Sequence, residues 1–566
     1  MKTRTLWLVI SFLVIASVVL ASCGSKTSTP NTPIPNTPTS VGSYLTINFE
    51  QVSTWVRNFN PFSPDALGST VTAIYEPMMI YNKSIGELVP WLATEFSWSA
   101  DNTILTFKIR EGVKWSDGQP FTAKDVLFTF TLLRNNPALS GFGTGVLSEY
   151  VDSFTSPDDY TIVFNFKSVY TAALYDIANQ IIVPEHIWRD IQDPMTWTND
   201  NPVATGPFTE VTKFEAQIYI LEKNPYYWQA GKPFFQGIRY PAFADNNAAN
   251  LALANGDLDW AGNFVQDIEK TYVAKDPQNY HYYFVGADCV LLYINQTIKP
   301  FDNPAVRKAI SMGIDRQMIV QTAEFSYIPP ADATGLGDTY SVWKDPAAVA
   351  AGTWVNYDVA AANAALDAAG LTKGSDGIRL DQDGKPMKYT LIVPSGWTDW
   401  ISAAQIIAQN MGDLGITITL DTPEENTDIN QVSQGDFQWA ILWGSGGPTP
   451  YNFYRGQMSS LSILPVGEVA NENFLRYANP EADTLLEQFA KTSDLAQQKL
   501  IIGQIEMLFV NNAPALPLFP GPDWYEYNTT RFTGFPSADD AYAPGVPYGG
   551  SPYNTPLIVL TTIKPK

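Results

Sequence analysis

A strand, a turn and a capped helix are encoded in succession by residues 105–126, LTFKIREGVKWSDGQPFTAKDV. The first six residues alternate apolar and polar side chains, which is the pattern of a strand with one buried face. The turn at residues 116–118 (SDG) follows. Thr122 and Asp125 then have the spacing of a capping box, which predicts a helix that runs to Leu133.

Strands and helices continue to alternate along the rest of the chain. The pattern predicts strands at 161–166 and 416–420, helices at 304–320, 359–369 and 400–414, a hairpin at 377–393 around Asp383-Gly384, and a largely helical stretch at 477–512. No repeat of fixed period occurs, which argues against a solenoid. At 566 residues the chain exceeds the ~250–300 residues that one hydrophobic core supports. We therefore predict an α/β protein with more than one lobe.

The charge balance limits the partners of this protein. Fifty-seven acidic side chains against 34 basic ones give a net charge of −23, which repels nucleic acid and anionic lipid head groups. Hydrophobic residues make up 45% of the chain, so the sequence encodes a folded protein rather than an acidic disordered one. We expect no nucleic-acid partner.

The N-terminus has the pattern of a secreted lipoprotein. A basic start precedes an apolar run at 6–20, which is typical of a signal peptide and shorter than the ~18 residues expected of a spanning helix. Residues 20–23 (LASC) resemble a bacterial lipobox, so we expect a signal peptide at 1–22 and lipid attachment at Cys23. An ordinary signal peptide with an incidental cysteine is the alternative. Residues 23–43, rich in Ser, Thr and Pro, predict an extended tether.

Motifs for catalysis or metal binding are absent from the sequence. There is no GxxxxGK[ST] phosphate loop, no GxSxG nucleophile turn and no HExxH or CxxC pair. His186 and His281 are far apart, and Cys289 lies in an apolar strand pattern, so we expect packed or surface side chains rather than ligands. Residues 381–384 (DQDG) resemble the start of a calcium loop but lack its later ligands. We expect no metal, no cofactor and no catalytic residues.

Several landmarks together resemble one protein family. They occur in order along the chain, at 105–126, 205–208 (TGPF), 224–228 (NPYYW), 301–310 (FDNPAVRKAI), 479–486 (NPEADTLL) and 513–518 (APALPL). Each alone is a weak motif. The ordered set is similar to the extracellular solute-binding proteins of family 5, the capture subunits of ATP-driven importers for peptides, nickel and oligosaccharides.

The resemblance implies an α/β protein with a two-lobed, periplasmic-binding-protein-like (type II) fold and an extra third domain. The implied ranges are 44–90, 206–290 and 520–566 for lobe I, 91–205 for the extra domain, and 291–519 for lobe II. The resemblance also implies an extracytoplasmic monomer, anchored through Cys23 to the outer face of the cell membrane. It binds a ligand between the lobes and delivers it to the transmembrane subunits of an ABC permease.

The segment at 443–451 (WGSGGPTPY) bears on the ligand. Peptide-binding members of the family carry an acidic residue there, which pairs with the ligand's α-amino group, whereas this segment has none before Phe453. A buried ammonium would lack its counter-charge, at a cost on the order of several kcal/mol. The neutral, glycine-rich segment resembles the oligosaccharide branch, so we expect a ligand of the β-linked glucan or cellobiose type. An oligopeptide or dipeptide receptor and a secreted glycoside hydrolase are the alternatives.

Aromatic residues beside polar or glycine positions mark the candidate binding site. Sugars offer apolar faces and hydroxyl groups, so their sites combine flat aromatic rings with amides, hydroxyls and backbone groups. The residues expected to contact the ligand are Trp55, Asn58, Trp260, Asn263, Trp397, Trp400, Trp443, Ser445, Gly446, Gly447 and Tyr451. Each tryptophan can instead be a core residue. Trp91, Trp98, Trp115 and the aromatic residues at 226–228 are expected to be structural.

Overall fold

The structure, a computed structural model, describes residues 44–566 apart from 140, 142, 143, 148 and 549–553. The predicted signal peptide, Cys23 and the tether lie outside the described residues. The strands are β1 (Tyr44–Asn48), β2 (Met79–Asn82), β3 (Glu87–Pro90), β4 (Ala93–Trp98), β5 (Ile104–Ile109), β6 (Val151–Asp158), β7 (Thr161–Phe166), β8 (Phe208–Glu215), β9 (Ile218–Lys223), β10 (Gly237–Pro241), β11 (Trp260–Ala261), β12 (Tyr280–Tyr282), β13 (Val285–Ile294), β14 (Lys388–Ile392), β15 (Thr417–Asp421), β16 (Trp439–Trp443), β17 (Leu516–Asp523), β18 (Glu526–Asn528), β19 (Phe532–Thr533) and β20 (Lys564–Pro565).

The α-helices are α1 (Ala123–Asn135), α2 (Thr144–Leu147), α3 (Ala173–Ala178), α4 (Glu185–Trp188), α5 (Asn246–Ala254), α6 (Ile268–Thr271), α7 (Pro304–Met312), α8 (Arg316–Thr322), α9 (Pro346–Ala351), α10 (Val359–Ala368), α11 (Thr398–Asp413), α12 (Glu425–Gln434), α13 (Pro450–Met458), α14 (Pro480–Ala490), α15 (Leu495–Asn512) and α16 (Pro556–Leu560). Short 3₁₀ turns lie at Val273–Lys275, Asp338–Tyr340, Thr353–Val355 and Ser460–Ser462, and a π-turn at Thr70–Ile74. Across the described ranges, the helices lack the combined length and hydrophobicity of a bilayer-spanning segment.

A seven-stranded mixed sheet forms the core of lobe I, in the order β12-β18-β11-β1-β10-β9-β8. Its central strand β1 is parallel to both of its neighbours, β10 and β11. Leu45 and Ile47, on one face of β1, are fully buried, and Tyr44 and Thr46 on the other face are partly buried. The carboxyl ends of β1, β10 and β11 therefore meet at one edge of this sheet.

A five-stranded sheet forms the core of lobe II, in the order β15-β14-β16-β13-β17. Strand β14 is parallel to β15 on one side and to β16 on the other. Helices α11, α12 and α13 follow β14, β15 and β16 respectively. The loops after these three strands consequently share one sheet edge, which is where open α/β sheets place their ligands.

The extra domain contains a four-stranded antiparallel sheet, β4-β5-β7-β6, with α1 packed against it. The predicted capping box at the start of α1 is confirmed. The Thr122 N–H donates to Asp125 Oδ2 at 2.9 Å, and the Lys124 N–H donates to Thr122 Oγ1 at 3.3 Å. Two lobes with an extra domain in an α/β chain agree with the predicted fold class.

Two long antiparallel strands, β13 and β17, pair from Val285 with Asp523 to Leu292 with Leu516. Strand β13 begins just after β12 of lobe I, and β17 ends just before β18 of lobe I. The opposite ends of both strands belong to the lobe II sheet. The predicted domain boundaries at 290/291 and 519/520 fall inside this pair of strands. We propose them as the approximate limits between lobe I and lobe II. Cys289, predicted to be a structural thiol, is buried in β13.

Two predicted elements differ from the structure. The helix predicted at 304–320 is broken into α7 and α8 at Gly313, because Asp315 caps a new helix by accepting from the Met318 N–H at 2.9 Å. The hairpin predicted at 377–393 is reduced to a bridge between Leu380 and Pro386. Its second arm instead pairs in parallel as β14, since lobe II offers two strand partners there.

A buried carboxyl group links lobe I to the extra domain. Glu76 has no exposed surface and accepts from Trp91 Nε1 at 2.7 Å, Tyr227 Oη at 3.2 Å and Trp228 Nε1 at 3.1 Å. Burial raises the pKa of Glu76 to about 7, although these donors oppose the rise. The aromatic residues at 227 and 228, predicted to be structural, are thereby held in the packed interior.

We expect the Glu76→Ala variant to lower the free energy of unfolding by about 2–4 kcal/mol, because it leaves three buried donors without an acceptor. The Glu76→Gln variant keeps one side-chain oxygen in place and is expected to lose less than half as much. Urea unfolding followed by tryptophan fluorescence measures both. An alanine variant within about 0.5 kcal/mol of wild type would contradict this role.

Candidate functional site

The loops at the carboxyl ends of β14 and β16 bring three predicted tryptophans together. Trp397 precedes α11, Trp400 lies in its first turn, and Trp443 ends β16. The ring centroids of Trp397 and Trp443 are 5.6 Å apart with their planes 24° from parallel. Trp400 lies 4.7 Å from Trp397 and 5.8 Å from Trp443. We call these three residues the tryptophan cluster.

The tryptophan cluster offers an aromatic surface rather than a sealed core. Trp443 keeps 41% of its surface exposed, although it is a large apolar side chain at the end of a central strand. Trp400 is 7% exposed, and its ring packs against both of the other two. The buried Nε1 of Trp397 has no hydrogen-bond partner among the described residues. A flat ring with an unpaired donor nearby suits a ligand with apolar faces and hydroxyl oxygens.

The facing edge of lobe I carries a network of amides. Gln51 Nε2 donates to Asn263 Oδ1 at 3.0 Å and to Asn48 Oδ1 at 3.2 Å. The Asn263 N–H donates to Glu526 Oε2 at 3.0 Å. Asn263 is completely buried, yet its Nδ2 lacks a partner in the described part of the chain. A buried amide with one satisfied and one unsatisfied atom is positioned to donate to a ligand.

The two edges are in contact, so the lobes are closed. The Asn246 N–H, at the start of α5 in lobe I, donates to Gly396 O beside the tryptophan cluster at 3.3 Å. Asn246 Nδ2 donates to Thr398 Oγ1, also at 3.3 Å. Further along, the Phe264 and Phe325 rings lie 6.1 Å apart. The two lobes therefore contact each other beside the tryptophan cluster.

Three carboxyl groups meet at this interface, and we call them the acidic group. Glu50 follows β1, and Glu425 and Asp428 lie in the first turn of α12. Burial, and then the charge of Glu425, raises the pKa of Glu50. Burial and the Asp428 charge raise the pKa of Glu425, and burial raises that of Asp428 to about 7. These carboxyl groups are held without full solvation.

The lobe I residues predicted at 55, 58 and 260 have structural contacts. Trp55 is 5% exposed and its Nε1 donates to Tyr240 O at 2.9 Å, while Trp260 is fully buried and donates to Gly545 O at 2.6 Å. Asn58 accepts from the Asn60 N–H and donates to Ser63 Oγ, both at 3.0 Å. That Trp55 and Trp260 contact ligand stays a prediction; in this structure both indoles are buried and each Nε1 donates to a backbone carbonyl.

The glycine-rich loop after Trp443 is shaped by its own packing. The Gly447 N–H donates to Tyr340 Oη at 3.0 Å, and Tyr340 Oη donates to Gly447 O at 2.7 Å. A Cβ on Gly446 would overlap the carboxylate of Asp288, and one on Gly456 would overlap the Ser445 hydroxyl. These glycines and Ser445 therefore set the path of the backbone beside the tryptophan cluster.

Tyr451 lies elsewhere, against the extra domain. It is 3% exposed, and its hydroxyl and that of Tyr170 are 2.8 Å apart. Beside it, Arg455 Nη1 donates to Asp176 Oδ2 at 2.9 Å, which adds an ion pair between α13 and α3. That Tyr451 contacts ligand stays a prediction; in this structure its hydroxyl bonds to that of Tyr170 and its ring stacks on Phe489.

Sequence reasoning missed the acidic group and the amide Gln51. The available signal was positional, since Glu50 and Gln51 follow β1 directly and Glu425 follows β15 closely. No set of three or more His, Cys, Asp or Glu side chains in the described ranges is arranged to hold one metal ion.

Comparison with known proteins identifies related sequences. Residues 87–463, two thirds of the chain, match the sequence profile of the bacterial extracellular solute-binding proteins, family 5 Middle. A putative ABC transporter peptide-binding protein of Brucella ovis is 27% identical over 442 residues, which cover 76% of this chain and 78% of that protein.

Two solved structures share the fold. The mannohexaose-bound periplasmic oligopeptide-binding protein of Thermotoga maritima superposes with a TM-score of 0.85 at 26% identity, covering 93% of this chain and 99% of that one. The oligopeptide-binding protein AppA of Bacillus subtilis, in complex with a nonapeptide, superposes with a TM-score of 0.77 at 19% identity, covering 92% and 98%.

We expect Gly446→Ala to lower the free energy of unfolding by about 1–3 kcal/mol, because the new methyl group must displace Asp288. The matched control is Gly412→Ala in α11, where a Cβ meets no atom within 4 Å and helix propensity improves. Thermal unfolding of both variants is the measurement. Equal melting temperatures for the two variants would show that the 444–447 backbone tolerates a side chain.

Proposed function

The chain belongs to the bacterial extracellular solute-binding proteins of family 5, and on that basis we propose that it captures an oligosaccharide of the β-linked glucan or cellobiose type for an ABC importer. The stacked pair of Trp397 and Trp443 carries this proposal. Two nearly parallel indoles, one of them 41% exposed, present the flat apolar surface on which sugar rings stack. Hydroxyl groups then find donors in the buried amide of Asn263 and the indole of Trp397.

An oligopeptide is the second candidate ligand. The names of the Brucella ovis protein and of AppA both refer to peptides. The Thermotoga maritima structure has a peptide-binding name and a bound mannohexaose, so a name in this family does not decide between the two ligand classes. The neutral 443–451 segment and the tryptophan cluster favour the sugar.

The proposed mechanism is capture without covalent change. An open form exposes the tryptophan cluster on lobe II and the amide network on lobe I. A ligand that contacts both edges stabilises the closed form, in which Asn246 reaches Gly396. The transmembrane subunits of the permease recognise that form, and the ligand is released unchanged. We propose that the protein acts as a monomer, held at the membrane through a lipid on Cys23.

A thermal-shift screen tests the ligand class. Cello-, laminari- and manno-oligosaccharides form one set, and peptides with a free amino terminus form the other. Binding to the folded state raises the melting temperature by an amount that grows with ligand concentration over Kd. A shift with peptides and with no oligosaccharide would reject the sugar assignment. Chromatography of the recovered sugar checks for turnover, and shortened products would reject a purely binding role.

We expect Trp443→Ala to weaken oligosaccharide binding by about 10–100-fold, because it removes the exposed half of the stacked pair. Tyr226→Ala is the matched control, since Tyr226 is a 45% exposed aromatic residue outside the cleft. Isothermal titration calorimetry measures both affinities, and circular dichroism checks that the variants fold. Unchanged affinity in Trp443→Ala would remove this residue from the site.

A further inference from the structure

The acidic group has no counter-charge within the described part of the chain, and one of its three members is fully buried. Asp428 has no exposed surface, and neither of its carboxylate oxygens has a hydrogen-bond partner among the described residues. Glu425 Oε2 is also buried and unpartnered. The electrostatic influences on Glu50, Glu425 and Asp428 are burial and neighbouring carboxylates, with no Lys or Arg of the described chain among them.

Further carboxylates increase the negative potential at this point. Asp421 acts on Asp428, and Glu424 acts on Glu425, each raising the pKa of its neighbour. On the lobe I side, the Glu50 charge contributes to the raised pKa of the Tyr219 phenol. A closed cleft with this arrangement is unfavourable unless something supplies protons or positive charge.

The buried amide of Asn263 is an independent sign of a missing ligand. Strands β1 and β11 pair Asn48 with Ala261, so Glu50 and Asn263 each stand two residues beyond that pair at the same edge. Asn263 is fully buried and its Nδ2 has no partner in the described ranges. Asn263 thus leaves one buried donor free at the sheet edge that also carries Glu50.

A metal ion does not suit these groups, since the described side chains include no cluster with metal-binding geometry. A protonated primary amine does suit them. It carries a positive charge and three directed N–H donors, which reach acceptors that stand further apart than metal ligands do.

We propose that the acidic group binds a protonated primary amine of the ligand. Given the proposed function, this ligand is a β-linked oligosaccharide that contains amino sugars. Strand β14 pairs with β15, so the loops that carry Trp397 and Glu425 follow neighbouring strands of the lobe II sheet. The Ser395 N–H donates to Pro423 O at 2.7 Å and fixes these two loops together. Trp397 and Glu425 each stand two residues beyond this contact, so we place the amine of a sugar stacked on Trp397 beside Glu425.

Calorimetric titration at pH 6 with three oligomers of equal length tests the proposal. The oligomers are β-linked glucosamine, N-acetylglucosamine and glucose. We expect the glucosamine oligomer to bind at least about tenfold more tightly than the other two, because only it carries the charge. The double variant Glu425→Gln, Asp428→Asn should remove this preference and leave neutral-sugar binding in place. The double variant Glu95→Gln, Asp152→Asn, an equal charge change at two exposed residues of the extra domain, is the control.

Proton exchange provides a second readout. Closure around a neutral sugar buries the carboxyl groups and raises their pKa, so the closed form holds more protons and neutral-sugar affinity falls as pH rises above about 5. A bound ammonium keeps the carboxylates ionised, so the glucosamine oligomer should cause less proton uptake. Titrations in two buffers of different ionisation enthalpy measure this difference, which the double variant should reduce.

The outcomes separate this inference from the proposed function. Equal affinity for glucose and glucosamine oligomers overturns the amine site and leaves oligosaccharide capture intact. Binding of a peptide with a free amino terminus, lost on N-acetylation and in the double variant, supports the amine site and overturns the sugar. A preference for glucosamine that survives in the double variant overturns the assignment to Glu425 and Asp428.

Discussion

The antiparallel pair β13 and β17 is the constraint on which the rest of the molecule depends. Strand β13 runs from lobe I into the lobe II sheet, where it also pairs with β16, and β17 runs back from lobe II to lobe I. Because β16 is parallel to β14, and β14 to β15, this pairing fixes which sheet edge faces lobe I. Trp397, Trp443 and Glu425 stand at that edge because of strand direction. A two-strand connection also permits rotation of one lobe against the other without loss of either core.

Some of the groups that meet when the lobes close stabilise the closed form, and others destabilise it. The contacts of Asn246 with the Gly396 loop and the packing of Phe264 on Phe325 favour the closed form. The mutual approach of Glu50 and Glu425 opposes it, since two carboxylates leave water at the same place. A balance of this kind suits a receptor that must stay open when empty. The charge that the ligand brings to the acidic group then determines whether the lobes stay closed.

The sequence predicts local features better than contacts between lobes. The capping box of Thr122 and Asp125 and the grouping of Trp397 with Trp400 depend on short spacings, which a single segment contains. The break at Gly313 depends on Asp315, which caps a second helix. The apolar period continues across this break, so it predicts one helix where there are two. The burial of Trp260 and the meeting of Glu50 with Glu425 depend on tertiary pairing across most of the chain, so no local pattern distinguishes them.

The contact of α13 with the extra domain has a consequence for how such a receptor diversifies. Tyr451 on Tyr170 and Arg455 on Asp176 tie the helix that follows the glycine-rich loop to a domain that lies outside the cleft. Substitutions in that contact alter the angle at which lobe II comes to rest without touching any side chain that meets the ligand. Affinity and chemical selectivity are then separately adjustable, and a lineage can shift its working concentration range while keeping the same cargo.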